Sequence, residues 1–121
     1  MAQEPEEAKE PQKIHVLFYE TPAGGRVVRE WLKGLDEADR RAIGQDLMRV
    51  QFRWPVGMPL CRPLGGGLWE VRVSLPSNRI ARLLFGFVEG KLIVLHGFVK
   101  KTQKTPAADL ATARKRLNEY Q

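Results

Sequence analysis

At 121 residues the chain has the length of one domain, enough to bury roughly two thirds of the surface its unfolded form exposes. The formal net charge is +6; residues 1–12 hold four Glu against one Lys, which leaves +9 on residues 13–121. A basic body of this size attracts polyanions, nucleic acid first, while the lack of any apolar run near ~18 residues excludes a membrane-spanning helix and the single Cys61 excludes an internal disulfide.

Residues 1–12, MAQEPEEAKEPQ, contain no aromatic or branched apolar side chain, so a disordered acidic tail is expected there and a single domain over residues 13–121. The N-terminus lacks the basic-then-apolar layout of a signal peptide, and a cytoplasmic protein is expected. KIHVLFYE, rich in β-branched and aromatic residues, reads as a strand closed by the turn formers of TPAGG. In RVVREWLKGL the residues Val28, Trp31, Leu32 and Leu35 recur at helical spacing, with Gly34 marking the end. Asp36 then caps a second helix whose apolar stripe is Ile43, Leu47 and Val50, with Asp39 in its first turn.

The segment WPVGMPLCRPLGGG holds three prolines and four glycines, and an irregular surface loop is expected. Three strands follow, LWEVRVS, RIARLLFGF and KLIVLHGFVK, joined as antiparallel hairpins by LPSN and VEG. Thr105 as cap and Pro106 as first residue open a last helix with Leu110, Ala113, Leu117 and Tyr120 inward. The expected class is α+β in the order βααβββα: a mainly antiparallel four-stranded sheet, a helical hairpin on one face, and a C-terminal helix.

Alternation places Trp69, Val71 and Val73 on one side of their strand and Glu70, Arg72 and Ser74 on the other. In the next strand Ala81, Leu83, Phe85 and Phe87 fall together, leaving Arg82 opposite and exposed. Periodicity does not choose the buried face of the third strand. If the basic positions share the outer face, Arg72, Arg82, His96 and Lys100 line it. Two readings fit such a face: solvated charge on a one-sided sheet, with Glu70 pairing Arg72, or an anion site in which the planar fork of Arg grips phosphate and Lys adds compact charge. His96 is either a structural histidine or a catalyst, and His15 is structural. LGGGLWE lacks the lysine and helix of a phosphate loop. No metal or other cofactor is expected, since two His and one Cys fall short of the four ligands of a structural zinc site.

The blocks GLWEVRVSLPSNRIARLLF and KLIVLHGFVKKTQKTP, the helix with ATARKRL, and REWLKGL with its second helix together resemble the phage-derived Gp49-like, HigB-type toxins of the RelE/ParE superfamily in bacterial type II toxin-antitoxin systems. The likeness spans roughly residues 14–120. It implies a RelE-like fold, an endoribonuclease (mRNA interferase) that cuts mRNA in the ribosome's decoding site, and inhibition by a helix-turn-helix antitoxin, with no membrane involved. Carried over by position, the catalytic surface is Arg72 and Arg82, with Lys100, Lys101 and Lys104 gripping RNA. In the reaction so implied a ribose 2′-hydroxyl attacks the adjacent phosphate without a metal, Arg82 stabilises the growing charge, and His96 or a lysine of lowered pKa is the base. Some relatives place a Tyr or His for proton transfer near the C-terminus, whereas this helix has neither before Tyr120. Two other functions share these features: a toxin that binds DNA gyrase and cleaves nothing, and a non-catalytic RNA-binding domain.

Overall fold

A computed structural model describes residues 14–100 and 104–121; the tail expected over residues 1–12 lies outside them. Among the described residues the elements are β1 (Val16–Phe18), α1 (Val27–Lys33), α2 (Glu37–Arg53), β2 (Cys61–Gly65), β3 (Leu68–Leu75), a 3-10 turn (Pro76–Asn78), β4 (Arg79–Val88), β5 (Lys91–Lys100) and α3 (Ala107–Asn118). The strands form one sheet in the order β1-β5-β4-β3-β2. β1 runs parallel to β5 and every other pair is antiparallel.

The α+β class stands, but the sheet has five strands and is mixed, where four mainly antiparallel strands were expected. The added strand is β2, inside the segment expected to be an irregular loop. Pro63 is tolerated there because an edge strand needs only one ladder of hydrogen bonds. Cys61 anchors it: the side chain is fully buried opposite Val71. The register slips between Pro63 and Gly65, and Gly65, Gly66 and Gly67 take the positive φ values that turn the chain into β3. The VEG hairpin forms as expected, with Glu89 and Gly90 both at positive φ between the paired Val88 and Lys91, the geometry that matches strand twist.

The helical hairpin also follows its sequence pattern. Gly34 ends α1, Asp36 precedes α2, and Val28, Ile43, Leu47 and Val50 are buried. Asp39 does more than favour the helix N-terminus, because its carboxylate accepts from Nη1 and Nη2 of Arg79 at 2.9 and 3.0 Å. That bidentate pair ties α2 to the start of β4.

Helices cover both sides of the sheet. On one side Trp31 of α1 presses on Gly97, where an added Cβ would lie 2.4 Å from the indole. On the other, Leu117 of α3 lies so near Gly86 that a Cβ would meet it at 2.8 Å. Gly97 pairs with Leu83, three positions from Gly86 along an unbroken β4, so the two glycines face opposite ways. This explains why β5 shows no readable period: Leu92, Ile93, Val94 and Leu95 are all buried, as in any strand covered on both faces. The β4–β5 register skips Leu95, whose carbonyl accepts from Arg116 of α3 at 2.8 Å. Residue 106 stands just before α3 as its N-cap and Ala107 is the first helical residue, one position later than expected. Leu110, Ala113 and Leu117 face inward, while Tyr120 lies beyond the helix and stays exposed.

Candidate anion site beneath the C-terminal helix

Register brings the charged residues of three neighbouring strands together. Arg62 of β2 pairs with Glu70 of β3, and Arg72 of β3 pairs with Arg82 of β4. Glu70 and Arg72, two apart, share a face. That face is not the open one expected from alternation, because α3 lies across it. Arg82, expected to be exposed, is 1% exposed, and Glu70, expected to meet Arg72 at the surface, is 0% exposed.

The carboxylate of Glu70 is the centre of the cluster. Its Oε1 accepts from Arg62 Nη2 at 3.0 Å and from Arg82 Nη1 at 3.3 Å, and its Oε2 accepts from the hydroxyl of Thr105. Removing such a carboxylate from water costs several kcal/mol, and only donors placed this way offset it. Thr105 thus spends its hydroxyl on the sheet instead of capping α3, and the bond fixes where the chain enters that helix. Arg114 completes the clamp by donating to the carbonyls of Leu64 and Gly65 at 2.8 and 3.0 Å.

Arg72 differs from its neighbours. It is half-buried and makes no ion pair among the described residues, whereas the buried Nε without an acceptor is a feature it shares with Arg62 and Arg82. It walls two adjoining cavities. One, of about 390 Å³, is lined by Met58, Pro59, Arg62 and Arg72. The other, of about 560 Å³, lies between α2 and the end of β3, where Gln45, Asp46, Arg49 and Ser74 join Pro59 and Arg72. Of the three arginines on these neighbouring strands, Arg62 and Arg82 pair with Glu70, and Arg72 is the one that makes no ion pair among the described residues.

The other expected site residues lie apart or outside view. His96 Nε2 sits 2.7 Å from Asp109 Oδ1, so its ring is engaged by α3. His96 pairs with Leu84 on β4, two strands from β3, which at roughly 4.8 Å per strand puts it on the order of 10 Å from Arg72. The structure does not bring the two together. Lys100 ends β5 opposite Ile80, Lys101 lies outside the described residues, and Lys104 is exposed just before Thr105.

Sequence reasoning missed the roles of Glu70, Arg62, Thr105 and Asp109. Glu70 had a signal, a lone carboxylate inside the apolar run LWEVRV; Arg62 had none, since it stood in a segment taken for loop. Cys61 belongs to the structure and not to the chemistry. Burial, then the nearby charge of Asp46, push its thiol up to about 11, and a thiol kept protonated at neutral pH is a poor nucleophile. Burial likewise raises the carboxyl of Asp46, with Arg49 pulling the other way.

Among the described residues no three His, Cys, Asp or Glu side chains converge as a metal site requires, and no helix is long and apolar enough to cross a membrane. No curated protein matches the chain. A family model, Phage derived protein Gp49-like (DUF891), matches residues 30–118, a span that runs from α1 to the end of α3 and includes the whole Glu70 cluster. The match covers well over half of the 121 residues, and the chain belongs to the Gp49-like family of phage-derived proteins.

Proposed function

We propose that this protein is the toxin of a bacterial type II toxin-antitoxin system, of the HigB type within the RelE/ParE superfamily, held in check by a helix-turn-helix antitoxin. Its activity is that of a metal-independent endoribonuclease acting on mRNA at the ribosome, in the cytoplasm. The observation that carries this reading is Arg72: a half-buried guanidinium without an ion pair among the described residues, on a strand flanked by those of two further arginines, Arg62 and Arg82. Such a guanidinium has donors left to meet a phosphate bidentately, and its partial burial strengthens that contact.

The roles then divide. Arg72 takes the charge that grows on the phosphoryl oxygens as the 2′-hydroxyl attacks, the part first expected of Arg82. Arg82 becomes a positioning residue, buried against Glu70 and directly across from Arg72. Products are a 2′,3′-cyclic phosphate and a 5′-hydroxyl. His96, engaged by Asp109 and remote from Arg72, leaves the role of base to the lysine-rich segment that joins β5 to α3.

Arg72→Ala should slow cleavage by roughly 10² to 10³-fold, the loss typical of one preorganised donor, with the fold retained because Arg72 anchors no ion pair. Arg72→Lys should restore part of the rate, keeping the charge without the planar fork. The assay is end-mapping of RNA cut in a translating extract, run beside a gyrase supercoiling assay. Intact RNA with blocked supercoiling, or RNA binding without cutting, would overturn the nuclease reading.

A further inference from the structure

We infer that the two cavities flanking Arg72 are nucleoside subsites on either side of the bound phosphate, and that Gln45 and Asp46 in the larger one read the base. This rests on RNA being the substrate. Arg72 and Pro59 line both cavities, so a phosphate held by Arg72 lies on their common wall. Its two nucleosides then have one cavity each. Both volumes, about 390 and 560 Å³, fall in the range of small-ligand sites.

The chemistry of the two cavities differs. The smaller offers Met58, 71% exposed, with Pro59 and the flat guanidinium of Arg62. Such walls take the face of any base, since apolar and cation–π contacts ask nothing of its edge. The larger offers hydrogen-bonding edges in Gln45, Asp46 and Ser74. Asp46 stands out: a carboxylate facing a polyanion's site is costly unless it has donors to meet. Its Oδ1 lies 3.2 Å from Arg49 Nη1, and its Oδ2 has no partner among the described residues. Exocyclic amino groups of cytosine, adenine and guanine supply such a donor, whereas uracil offers only its ring N3–H, set between two carbonyl oxygens that repel a carboxylate. The larger cavity therefore favours amino-bearing bases over uracil, while the smaller one is indifferent.

The test uses the full chain and 2′-O-methylated ApA, CpC, GpG and UpU, which cannot be cleaved, titrated by NMR. Binding should move the amide signals of Gln45 and Ser74 together with that of Met58, and UpU should bind at least about fivefold more weakly than the best of the others. Asp46→Asn, nearly isosteric, should reduce that discrimination, and Gln45→Ala serves as a second variant should the first misfold. Met58→Ala should weaken all four alike. Signals moving in one cavity only, or a base preference that survives both Asp46→Asn and Gln45→Ala, would overturn the inference. Cut sites mapped in mRNA separate the two readings: a chain that binds in both cavities with this preference yet cuts no RNA sinks the nuclease and leaves the subsites. A chain that cuts with the same base distribution before and after Asp46→Asn sinks the subsites and leaves the nuclease.

Discussion

Toward α1 and α2 the sheet presents Val71, Val73, Leu83 and Phe85, all buried, with Trp54 stacked edge-on against Trp69 and Phe85. Toward α3 it presents Glu70, Arg82 and His96, and each is joined to a charged or hydroxyl partner. The first face is held by area removed from water, which depends little on direction. The second is held by donors and acceptors whose positions are narrowly set, and a single loss leaves a bare charge behind. A sheet covered on both sides can therefore keep one face for stability and use the other to fix a guanidinium.

The largest effect should come from neighbours that point opposite ways. Arg82→Ala leaves the buried Glu70 carboxylate to Arg62 and Thr105 alone and empties the space of a large buried side chain, and should cost about 3 to 5 kcal/mol in urea unfolding, while Leu83→Ala leaves a cavity and should cost about 2 to 5 kcal/mol. Similar losses have different cures. Adding Glu70→Leu to Arg82→Met should recover stability relative to Arg82→Met alone, because an apolar pair of like volume replaces a buried ion pair at little cost; no second change beside Leu83→Ala should act so. If the double variant is no more stable than Arg82→Met, the contrast between the faces fails. An Arg82 exposed as alternation predicts would lose little stability on the same change; its burial reverses that outcome.

Next in size is Thr105→Val, which removes one donor from Glu70 at nearly constant volume. A hydrogen bond to a charged group is worth about 1.5 to 3 kcal/mol, and RNA affinity should fall as well, since Thr105 also fixes the chain next to Lys104. A stability change with unaltered RNA affinity would confine Thr105 to the fold.

The smallest effect appears only at high pH. Folding raises the thiol of Cys61 from 9.0 to about 11, so the folded state holds its proton where the unfolded state has lost it. The stability this contributes is complete below about 9 and is lost as pH climbs toward about 11. Tyr19, raised first by donating to Glu119 and then by burial, acts with the same sign. Cys61→Ala should therefore flatten part of the alkaline decline in urea midpoints while changing the slope near neutrality very little.

The hairpin face was legible because a helix with Ile43, Leu47 and Val50 at its own period can bury only one stripe. The α3 face was not, for two reasons rooted in packing. Alternation in β3 and β4 separates faces without telling whether both are covered, so Arg82 and Glu70 were placed in water. β2 was invisible because an edge strand makes few demands on its residues and admits Pro63. Of the candidate site, Arg72 and Arg82 were found by alternation and resemblance; the carboxylate that organises them and Arg62 became visible only through register.

The contact between Gly97 and Trp31 has a consequence for how such a chain can vary. No side chain fits at position 97 while the indole stays where it is, and a smaller residue at position 31 would leave a void over β5. Neither site can drift alone without a penalty, so viable changes must arrive as matched pairs, a larger residue at one and a smaller one at the other. Gly97→Ala combined with Trp31→Leu is the simplest such exchange.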